Sequence, residues 1–410
     1  MSEREFEIVL FGATGFTGAL VAEHLVANHL KEGLRLAFGG RSREKLEALR
    51  ARLARFHLQA AEIPILVADA FDRKKLEELA KRTKVVATAV GPYGKYGEQL
   101  VAACASQGTH YADLTGEIPF MRRMIERYEG LAQSTGACIV HACGYDAVPS
   151  DLGAWLVVRR YIEQFDQVPR RVLNVVRKAK GGVSGGTFAS MLFVLGEASQ
   201  SQKVRQWLND PFALIPGERE QTQVSFSIWP RHEPLIGAWV VPSVMARVNV
   251  PIVYRSAWIL RRENKIPPSF WPYDEVMEMK GGALEGALRA SLFTAGFVGA
   301  QAVLSFGLGR SLFASFAPSP GEGPPQSLQE KGYFESHFIA EGEKGLVQLR
   351  FRGEGDPGYG ATSRMLGESA MCLARDLLES RSGFYTPASA MGDALVQRLR
   401  QHRFEIEFET

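Results

Sequence analysis

The sequence has few cysteines and no excess of either charge. Of its 410 residues four are cysteine, without C-x-x-C spacing, and these are Cys104, Cys138, Cys143 and Cys372. This pattern excludes a disulfide-rich secreted scaffold and a cysteine-based zinc site, so we expect no metal and a reducing, cytoplasmic compartment. Lysine and arginine number 48 against 45 acidic residues. Because this balance gives no basic field, we expect no nucleic-acid partner.

A targeting segment is also lacking at the start. An apolar, strand-like run begins at Phe6, which leaves no room ahead of it for a charged and then apolar leader, and we expect no cleaved signal. Hydrophobic residues make up 46% and charged residues 23% of the chain. This is the composition of a globular enzyme with a large core, and the length suffices for two domains.

Three glycines separate the first strand-like run from the first helix-like run. Gly12, Gly15 and Gly18 follow the apolar run in G-x-x-G-x-x-G spacing. Such a turn lets the backbone approach a pyrophosphate, which the amides and the dipole of the following helix attract. The spacing differs from the common G-x-G-x-x-G pattern, so the glycines alone are a moderate signal. The candidate binding residues are Gly12, Ala13, Thr14, Gly15, Phe16, Thr17 and Gly18.

The residues after the second predicted strand indicate which dinucleotide binds. A protein that binds NAD usually has a carboxylate here for the ribose hydroxyls, whereas this chain has Arg41 and Ser42, followed by Arg43. An arginine can pair with a 2′-phosphate through two hydrogen bonds, so the pattern favours NADP(H) over NAD(H). The alternative is that Arg41 and Arg43 are solvated charges at the start of a helix.

Two further strand ends complete the expected cofactor crevice. Asp69, followed by Ala70, ends the third strand and is placed either to accept an adenine amino group or to cap the next helix. The fourth strand ends in a segment that is expected to lie beside the nicotinamide, at the edge where doubly wound sheets bind ligands. Its residues are Val90, Gly91, Pro92 and Tyr93.

Alternating β and α patterns over residues 6–142 predict a parallel sheet covered on both faces, which is a Rossmann-like doubly wound α/β fold. The alternation breaks at 144–153, where Ser150 is expected to cap a helix that runs to about 165. Beyond it, runs over 332–340 and 345–353 predict a hairpin in a mixed sheet of a second, α+β domain. Helices are expected over 362–378 and 388–402.

Several motifs together resemble those of the saccharopine dehydrogenase-like oxidoreductases, and the similarity extends over nearly the whole chain. They include the glycine loop, residues 40–46, 90–93, 111–117 and 144–153, and the ending around 384–387. The resemblance implies a Rossmann domain that binds NADP(H). Within the family the chain is most similar to the bacterial trans-acting enoyl reductases, which reduce a carbon–carbon double bond in polyketide-derived lipids, and to an animal oxidoreductase associated with lipid droplets.

Reduction of a conjugated C=C bond needs a group that delivers a proton to the α-carbon and groups that hold the carbonyl oxygen. The candidates for catalysis are Tyr145, Asp146 and Tyr93, each at the carboxyl end of a predicted strand. Tyr145 could donate through its phenol while Asp146 orients a partner. The alternative is that this Tyr-Asp pair only fixes the loop between the domains. We expect Asp113 and Glu117 to order loops, Glu117 by capping the next helix.

One long segment has no charged residue, between Arg289 and Arg310. Three interpretations stay open: a buried helix or dimer interface, a segment lying on a lipid surface, and a membrane span. The Pro- and Gly-rich residues 317–325 that follow predict an exposed loop. The expected partners are therefore a hydrophobic small-molecule or carrier-bound acyl substrate, a membrane or lipid surface touched peripherally at the inner face of the plasma membrane, and a second copy in a homodimer.

These patterns predict three parts of the chain. Residues 1–146 form an NADP-binding Rossmann domain, 147–360 a substrate or lipid domain with the hydrophobic segment 287–316, and 361–410 C-terminal helices that pack back on the first domain. The expected activity is NADPH-dependent reduction of a C=C bond in a hydrophobic acyl, polyketide or isoprenoid substrate. The alternatives are a saccharopine-type imine or amino-acid dehydrogenase and a non-catalytic, lipid-associated nucleotide-binding protein.

Overall fold

The structure is a computed structural model that describes residues 4–181, 185–217, 224, 226–306, 331–376 and 381–409. The strands are β1 Phe6–Phe11, β2 Leu36–Gly40, β3 Ile65–Val67, β4 Thr83–Thr88, β5 His110–Asp113, β6 Cys138–Val140, β7 Arg171–Lys180, β8 Arg231–Glu233, β9 Ala238–Pro242, β10 Tyr273–Met279, β11 Tyr333–Gly342, β12 Gly345–Glu354, β13 Gly383–Tyr385 and β14 Phe404–Glu409.

The helices alternate with these strands in the first part of the chain and are longer in the second part. They are α1 Phe16–His29, α2 Arg43–Ala54, α3 Arg73–Lys81, α4 Tyr93–Tyr96, α5 Glu98–Gln107, α6 Ile118–Thr135, α7 Val148–Phe165, α8 Gly185–Gln200, α9 Gln202–Leu208, α10 Ala246–Arg262, α11 Ala283–Ser305, α12 Thr362–Arg375 and α13 Pro387–Gln401.

The first sheet has the order β3-β2-β1-β4-β5-β6-β13, and its paired strands are all parallel. Alternate residues of β1 point to opposite faces. Ile8 and Leu10 belong to a core shared with α1 and α2, whereas Val9 and Phe11 belong to a second core with α3 and α5. The predicted Rossmann-like fold, with a sheet buried on both faces, is confirmed.

The second sheet is mixed, as predicted, with the order β14-β12-β11-β7-β10-β9-β8. Strands β7 and β10 run parallel, and the other neighbours are antiparallel. The expected hairpin is present as β11 and β12, with Gly342 paired to Gly345 at the turn. Helices α7 and α10 pack on this sheet.

The C-terminal part contributes to both sheets. Helix α12 packs on α1, β4 and β5, and α13 packs on α12 and α7. Strand β13 extends the first sheet beside β6, while β14 extends the second sheet beside β12. The three-part division with boundaries at 146 and 360 stays a prediction.

The expected cap of α7 is wrong. The helix begins at Val148 after Ala147, with a proline in its first turn and no side-chain cap, since Pro149 favours the first helical positions. Ser150 therefore lies inside the helix. Its hydroxyl instead donates to Glu275 Oε2 at 2.8 Å.

Helix α11 contains the described part of the uncharged segment and lies against β8, β9 and β10. Leu288 is 62% and Leu292 65% exposed. The stretch Ala283–Leu304 is long and apolar enough to cross a membrane, but length and composition alone are weak evidence for a span. The remainder of the segment, 307–316, and the expected loop 317–325 lie outside the described residues.

Candidate active site

The glycine loop joins β1 to α1 at the carboxyl edge of the first sheet. Gly12 has φ +82°, and a Cβ there would lie 2.3 Å from Val90 Cγ2. A Cβ on Gly18 would lie 2.1 Å from the carbonyl oxygen of Gly12. Gly15 precedes α1 and gives the helix no side-chain cap, so the amides of the first turn face outward without a side-chain acceptor. This is the arrangement that binds an anion.

The other residues of the loop differ in exposure. Ala13 is buried, Thr14 is exposed, and Phe16 and Thr17 are half-buried. The Phe16 ring meets the Tyr359 ring edge-on at a centroid distance of 4.9 Å. The loop therefore presents Thr14 and Gly15 to a ligand, while Phe16 packs on the protein.

At the end of β2, Arg41 is exposed and Ser42 caps α2. The Ser42 side chain accepts from the Lys45 amide at 3.4 Å, and Arg43 pairs with Glu47 at 3.7 Å. Gly12 N donates to the carbonyl of Gly39 at 2.8 Å, which brings the start of the glycine loop against the end of β2. Arg41 therefore lies at the same edge of the sheet as the glycine loop.

Asp69 and Ala70 follow β3 at the next position along this edge. Asp69 is exposed, and its Oδ1 accepts from the Phe71 amide at 2.9 Å. The side chain that caps α3 is Asp72, which accepts from Lys75 N. Capping of α3, one of the two expected roles of Asp69, is therefore wrong, and the adenine contact stays a prediction.

The segment after β4 packs against the glycine loop through Val90. Gly91 and Pro92 are half-buried. Tyr93 is only 5% exposed, and its hydroxyl donates to the Thr88 carbonyl at 3.2 Å and accepts from the Leu114 amide at 3.1 Å. Burial raises the pKa of Tyr93 well above its ordinary value. This geometry favours a structural role for the hydroxyl, and we restrict the catalytic hypothesis to Tyr145 and Asp146.

Glu117 orders the same segment from the end of β5. Its Oε1 accepts from Tyr93 N and its Oε2 from Gly94 N, both at 2.8 Å. Burial raises the pKa of Glu117, while these amides and the Ser190 hydroxyl oppose the rise. The expectation that Glu117 caps α6 is wrong, because its side chain reaches back to α4 and makes no cap bond to α6.

Helix α8 covers the segment after β4. A Cβ on Gly91 would lie 3.4 Å from Ser190 Oγ, and one on Gly94 would lie 2.4 Å from Phe193 Cε1. The helix is apolar, with no charged residue from Gly185 to Leu195. The place expected for the nicotinamide therefore has an apolar wall. Residues 182–184, directly before α8, lie outside the described residues.

Tyr145 and Asp146 lie between β6 and α7, and both are half-buried. The Tyr145 ring is 4.7 Å from the Phe334 ring, and its amide donates to Thr362 Oγ1 at 3.0 Å. Burial, with the charges of Glu275 and Asp146, raises the pKa of Tyr145. Burial and the Glu275 charge also raise the pKa of Asp146 to about 6, so its carboxyl changes charge close to neutral pH.

The expected loop-ordering role of Asp113 is confirmed. This fully buried carboxylate accepts from the amides of Thr115 and Ala142, both at 3.0 Å. Its Oδ2 lies 2.7 Å from His141 Nδ1. Asp113 thus joins the loops that follow β5 and β6, on which Glu117 and Tyr145 lie.

A buried cluster around Glu275 was missed by the sequence reasoning. The carboxylate is 1% exposed and accepts from Ser150 Oγ at 2.8 Å, Asn249 Nδ2 at 2.9 Å and Tyr273 Oη at 3.0 Å. Asn174 Nδ2 lies 3.3 Å from the same group. These residues come from α7, α10, β10 and β7, so no spacing in the sequence could have indicated them.

Comparison with known proteins identifies the family. Residues 8–140 match the family described as saccharopine dehydrogenase NADP binding domain. A trans-acting enoyl reductase of Mycobacterium ulcerans is 35% identical over 98% of this chain and 97% of its own length. A Mycobacterium tuberculosis protein, provisionally given the same name, is 41% identical over 97% of this chain and 96% of its own. The chain belongs to the saccharopine dehydrogenase-like oxidoreductases.

Within this family the chain groups with the proteins named trans-acting enoyl reductases. The fold is also that of saccharopine dehydrogenase (L-Glu forming) from Saccharomyces cerevisiae, with a TM-score of 0.52, 12% identity, and 99% of this chain and 100% of that one covered. At this identity the likeness concerns the fold alone. The oxidoreductase is NADP-dependent, as its N-terminal domain indicates.

The residues of this NADP-dependent oxidoreductase fit its cofactor. Gly12 and Gly18 lie where any side chain would fill the turn, and the uncapped first turn of α1 suits the pyrophosphate. Exposed Arg41 at the end of β2 suits the 2′-phosphate, because a guanidinium can donate two parallel hydrogen bonds. The individual contacts of these residues with the cofactor stay predictions.

Proposed function

We propose that this oxidoreductase uses NADPH to reduce the carbon–carbon double bond of a hydrophobic acyl substrate, of polyketide or isoprenoid type, conjugated to a carbonyl group. The observation that carries the proposal is the apolar helix α8 over the segment after β4, together with the enoyl reductases among the relatives. The family match over residues 8–140 concerns the NADP-binding domain and by itself leaves the substrate class open.

The α8 wall supports a hydrophobic substrate. Phe193 contacts Gly94, and Ser190 approaches Gly91, so this face of α8 borders the place proposed for the nicotinamide. Met191 is 39% exposed on the same helix. An acyl chain leaving the nicotinamide along α8 would replace contact with water by contact with these side chains, at about 25 cal/mol per Å² of apolar surface removed from water.

The same wall argues against an amino-dicarboxylic substrate. Recognition of two or more carboxylates requires arginine or lysine side chains that converge on them. From Gly185 to Leu195 helix α8 has neither. The saccharopine-type imine dehydrogenase is therefore the second candidate, and the substrate test separates the two.

Tyr145 and Asp146 are proposed for the proton transfer. NADPH supplies a hydride to the β-carbon when bound, and one proton must then reach the α-carbon. The raised pKa of Tyr145 keeps its phenol protonated at neutral pH, so that it can donate. Asp146, ionised above about pH 6, would orient the phenol or the substrate carbonyl through a bridging group.

A lipid surface is the proposed source of the substrate. Leu284, Leu288 and Leu292 are 89%, 62% and 65% exposed on α11, and α11 contacts α8. Burial of such leucines in the interfacial region of a bilayer would gain about 1.5–3 kcal/mol each. A peripheral contact through α11 would bring α8 close to substrate dissolved in the membrane.

The test is oxidation of NADPH by the full chain with three kinds of substrate: a long-chain trans-2-enoyl thioester, the saturated thioester, and an amino acid mixed with a 2-oxo acid. The proposal expects turnover of the enoyl thioester alone. Turnover only with the imine mixture would support the second candidate. Tight NADPH binding without any turnover would support a non-catalytic role.

A variant test addresses Tyr145 directly. Tyr145→Phe is expected to lower kcat by about 100-fold or more, the usual contribution of general acid catalysis, with NADPH affinity unchanged. Asp146→Asn is expected to abolish the fall in activity below about pH 6 that follows from the pKa of Asp146. Full kcat in Tyr145→Phe would exclude the phenol as the donor.

A further inference from the structure

Three histidines and one glutamate meet away from the cofactor crevice. His24 and His29 lie on α1, Glu368 on α12, and His402 directly after α13. Their ligand atoms all lie within 4.8 Å of one another. Gly367 makes this approach possible, because a Cβ there would lie 2.7 Å from His24 Cδ2. The cluster therefore joins three segments that are far apart in the sequence.

The three histidines converge on one carboxylate oxygen of Glu368. Glu368 Oε1 lies 2.7 Å from His24 Nε2, 2.7 Å from His29 Nε2 and 3.2 Å from His402 Nε2. Glu368 is 0%, His29 5% and His24 8% exposed, and His402 is half-buried. The three imidazoles cover one side of the buried Glu368 carboxylate and leave little access for water.

Hydrogen bonding accounts for two of the three contacts with Glu368 Oε1, those of His24 and His29. A carboxylate oxygen offers about two lone-pair sites, yet three imidazole nitrogens face Oε1. On the far side of its ring, His29 Nδ1 lies 3.4 Å from Glu32 Oε2, where it can donate. His29 can satisfy both carboxylates either as an imidazolium that donates from both nitrogens, or as a neutral imidazole that donates from Nδ1 and binds a cation through Nε2.

We propose that His24, His29, His402 and Glu368 bind a zinc ion. Imidazole nitrogen and carboxylate oxygen are ordinary zinc ligands, and four protein ligands without an open position are typical of a structural site. Zinc–ligand bonds of about 2.0–2.1 Å place the ligand atoms of a tetrahedron about 3.3 Å apart. The two shortest Nε2–Oε1 separations, 2.7 Å, need to widen by about half an ångström to reach this spacing, and pairs of ligand atoms as far apart as 4.8 Å need to approach by about 1.5 Å.

The groups around the cluster are compatible with a cation. Arg398 Nη1 lies 3.4 Å from Glu368 Oε2, and Nη2 of the same guanidinium pairs with Asp376 Oδ1 at 2.6 Å. Arg364 acts on His24 and His402 through its charge, and Glu32 lies beside His29. With neutral histidines, the three carboxylates outweigh the two guanidinium groups by one negative charge, which favours a divalent cation.

Asn28 contacts the far side of the His24 ring. Its amide nitrogen lies 3.1 Å from His24 Nδ1 and 2.8 Å from the His24 carbonyl. A His24 that binds metal through Nε2 carries its proton on Nδ1, so the Asn28 amide must turn to present its oxygen. The zinc ion would fix α1, whose first turn ends the glycine loop, to α12 and to the end of α13.

The experiment measures metal in the full-length protein. After treatment with a chelator, the protein is given Zn²⁺ or Co²⁺, with bound metal counted by elemental analysis and the cobalt form examined by visible absorption. We expect about one ion per chain and the intense absorption of tetrahedral cobalt. His402→Gln, at the least buried ligand, should weaken binding by more than tenfold, since even changes to residues that only hydrogen-bond to a ligand cost 10–100-fold. His232→Gln, at an exposed histidine on β8, is the matched control.

The wild-type protein decides the question even if a variant fails to fold. A folded wild type that takes up neither zinc nor cobalt would overturn the proposal. If His402→Gln and His29→Gln both bound as much metal as the wild type, the proposal would be overturned as well, because the ion would then bind elsewhere. An octahedral cobalt spectrum would exclude the closed four-ligand site.

Discussion

Glu117 holds the backbone of Tyr93 through a hydrogen bond of 2.8 Å between its Oε1 and the Tyr93 amide. The second carboxylate oxygen holds the next amide, that of Gly94, at the same distance. One buried side chain from the end of β5 thus fixes the segment after β4. The Glu117 carboxylate therefore adds to the bonds of the Tyr93 hydroxyl with Thr88 and Leu114 in holding this segment.

Glu117→Gln is expected to loosen the segment after β4. Glutamine offers one oxygen and an NH₂ group that would face an amide N–H, so one charged hydrogen bond, worth about 1.5–3 kcal/mol, is lost. We expect a lower free energy of unfolding by denaturant and weaker NADPH binding by titration. Glu126→Gln, on the following helix α6 and paired with Arg122, should change neither. Unchanged NADPH affinity in Glu117→Gln would show that this segment does not contribute to the cofactor site.

Gly18→Ala is expected to damage the glycine loop. The added Cβ would lie 2.1 Å from the Gly12 carbonyl oxygen, which forces the loop to move. NADPH affinity measured by titration should fall by at least tenfold, about 1.4 kcal/mol. Gly130→Ala is the control, because a Cβ there meets nothing within 4 Å. In that helix the change should raise stability by about 0.5–1 kcal/mol without altering NADPH binding.

Arg41→Glu tests recognition of the 2′-phosphate. Replacing the exposed guanidinium by a carboxylate should weaken NADPH binding by about 1.5–3 kcal/mol, the value of a charged hydrogen bond, and affect NADH much less. The dissociation constants of both nucleotides give the measurement. Arg43→Glu, two residues on and paired with Glu47, should discriminate far less between them. Equal losses for NADPH and NADH in Arg41→Glu would refute the phosphate contact.

Asp151 is expected to make stability depend on pH. It is 1% exposed on α7, accepts from the Ser256 hydroxyl, and accepts from the Ala388 amide at 2.7 Å. Burial raises its pKa from 3.8 to about 7, against the opposing effect of these bonds. The folded state therefore holds the proton more tightly than the unfolded state does.

Protonation of Asp151 stabilises the folded state fully below about pH 4, and this stabilisation is lost as the pH rises to about 7. The free energy of unfolding therefore falls by about 4 kcal/mol between these two pH values. Denaturant unfolding at a series of pH values measures this slope. Asp151→Asn should flatten it, whereas Asp393→Asn, at an exposed aspartate on α13, should leave it as it is. A wild-type slope retained by Asp151→Asn would assign it to other groups.

The double variant Leu288→Glu and Leu292→Glu tests the lipid contact. Both leucines are mostly exposed, so the charges should leave the fold intact while they oppose insertion into the interface. Sedimentation with vesicles of phosphatidylcholine and an anionic lipid should show at least about tenfold weaker partitioning, as expected for losing one buried leucine or more. Leu346→Glu, 44% exposed at the β11–β12 turn, is the control. Equal partitioning of the wild type and the double variant would remove α11 from the contact.

Much of the fold could be predicted from the sequence, because the apolar runs alternate with helical patterns at regular spacing. The strand of only three residues at Gly383–Tyr385 could not be predicted, since it is too short to show an alternation. Its pairing with β6 depends on a long-range contact, which local patterns do not contain.

The part of the candidate site that could be predicted from the sequence is the glycine loop, where the backbone rather than the side chains forms the site. Gly12 and Gly18 are required by close approaches within one loop, and a local spacing reveals them. The Glu275 cluster and the three histidines around Glu368 are different, because each collects side chains from elements that lie far apart in the chain. The sequence around polar residues such as Asn249 and His402 has no periodicity that shows whether the side chain is buried in a cluster or exposed to solvent.

The first sheet ends on β13, whose residues come long after those of its neighbour β6. A fragment that stops at residue 146 would therefore expose the backbone donors and acceptors of β6 along its whole edge. Exposed edges of this kind pair with other chains. Such a fragment is expected to self-associate through this edge.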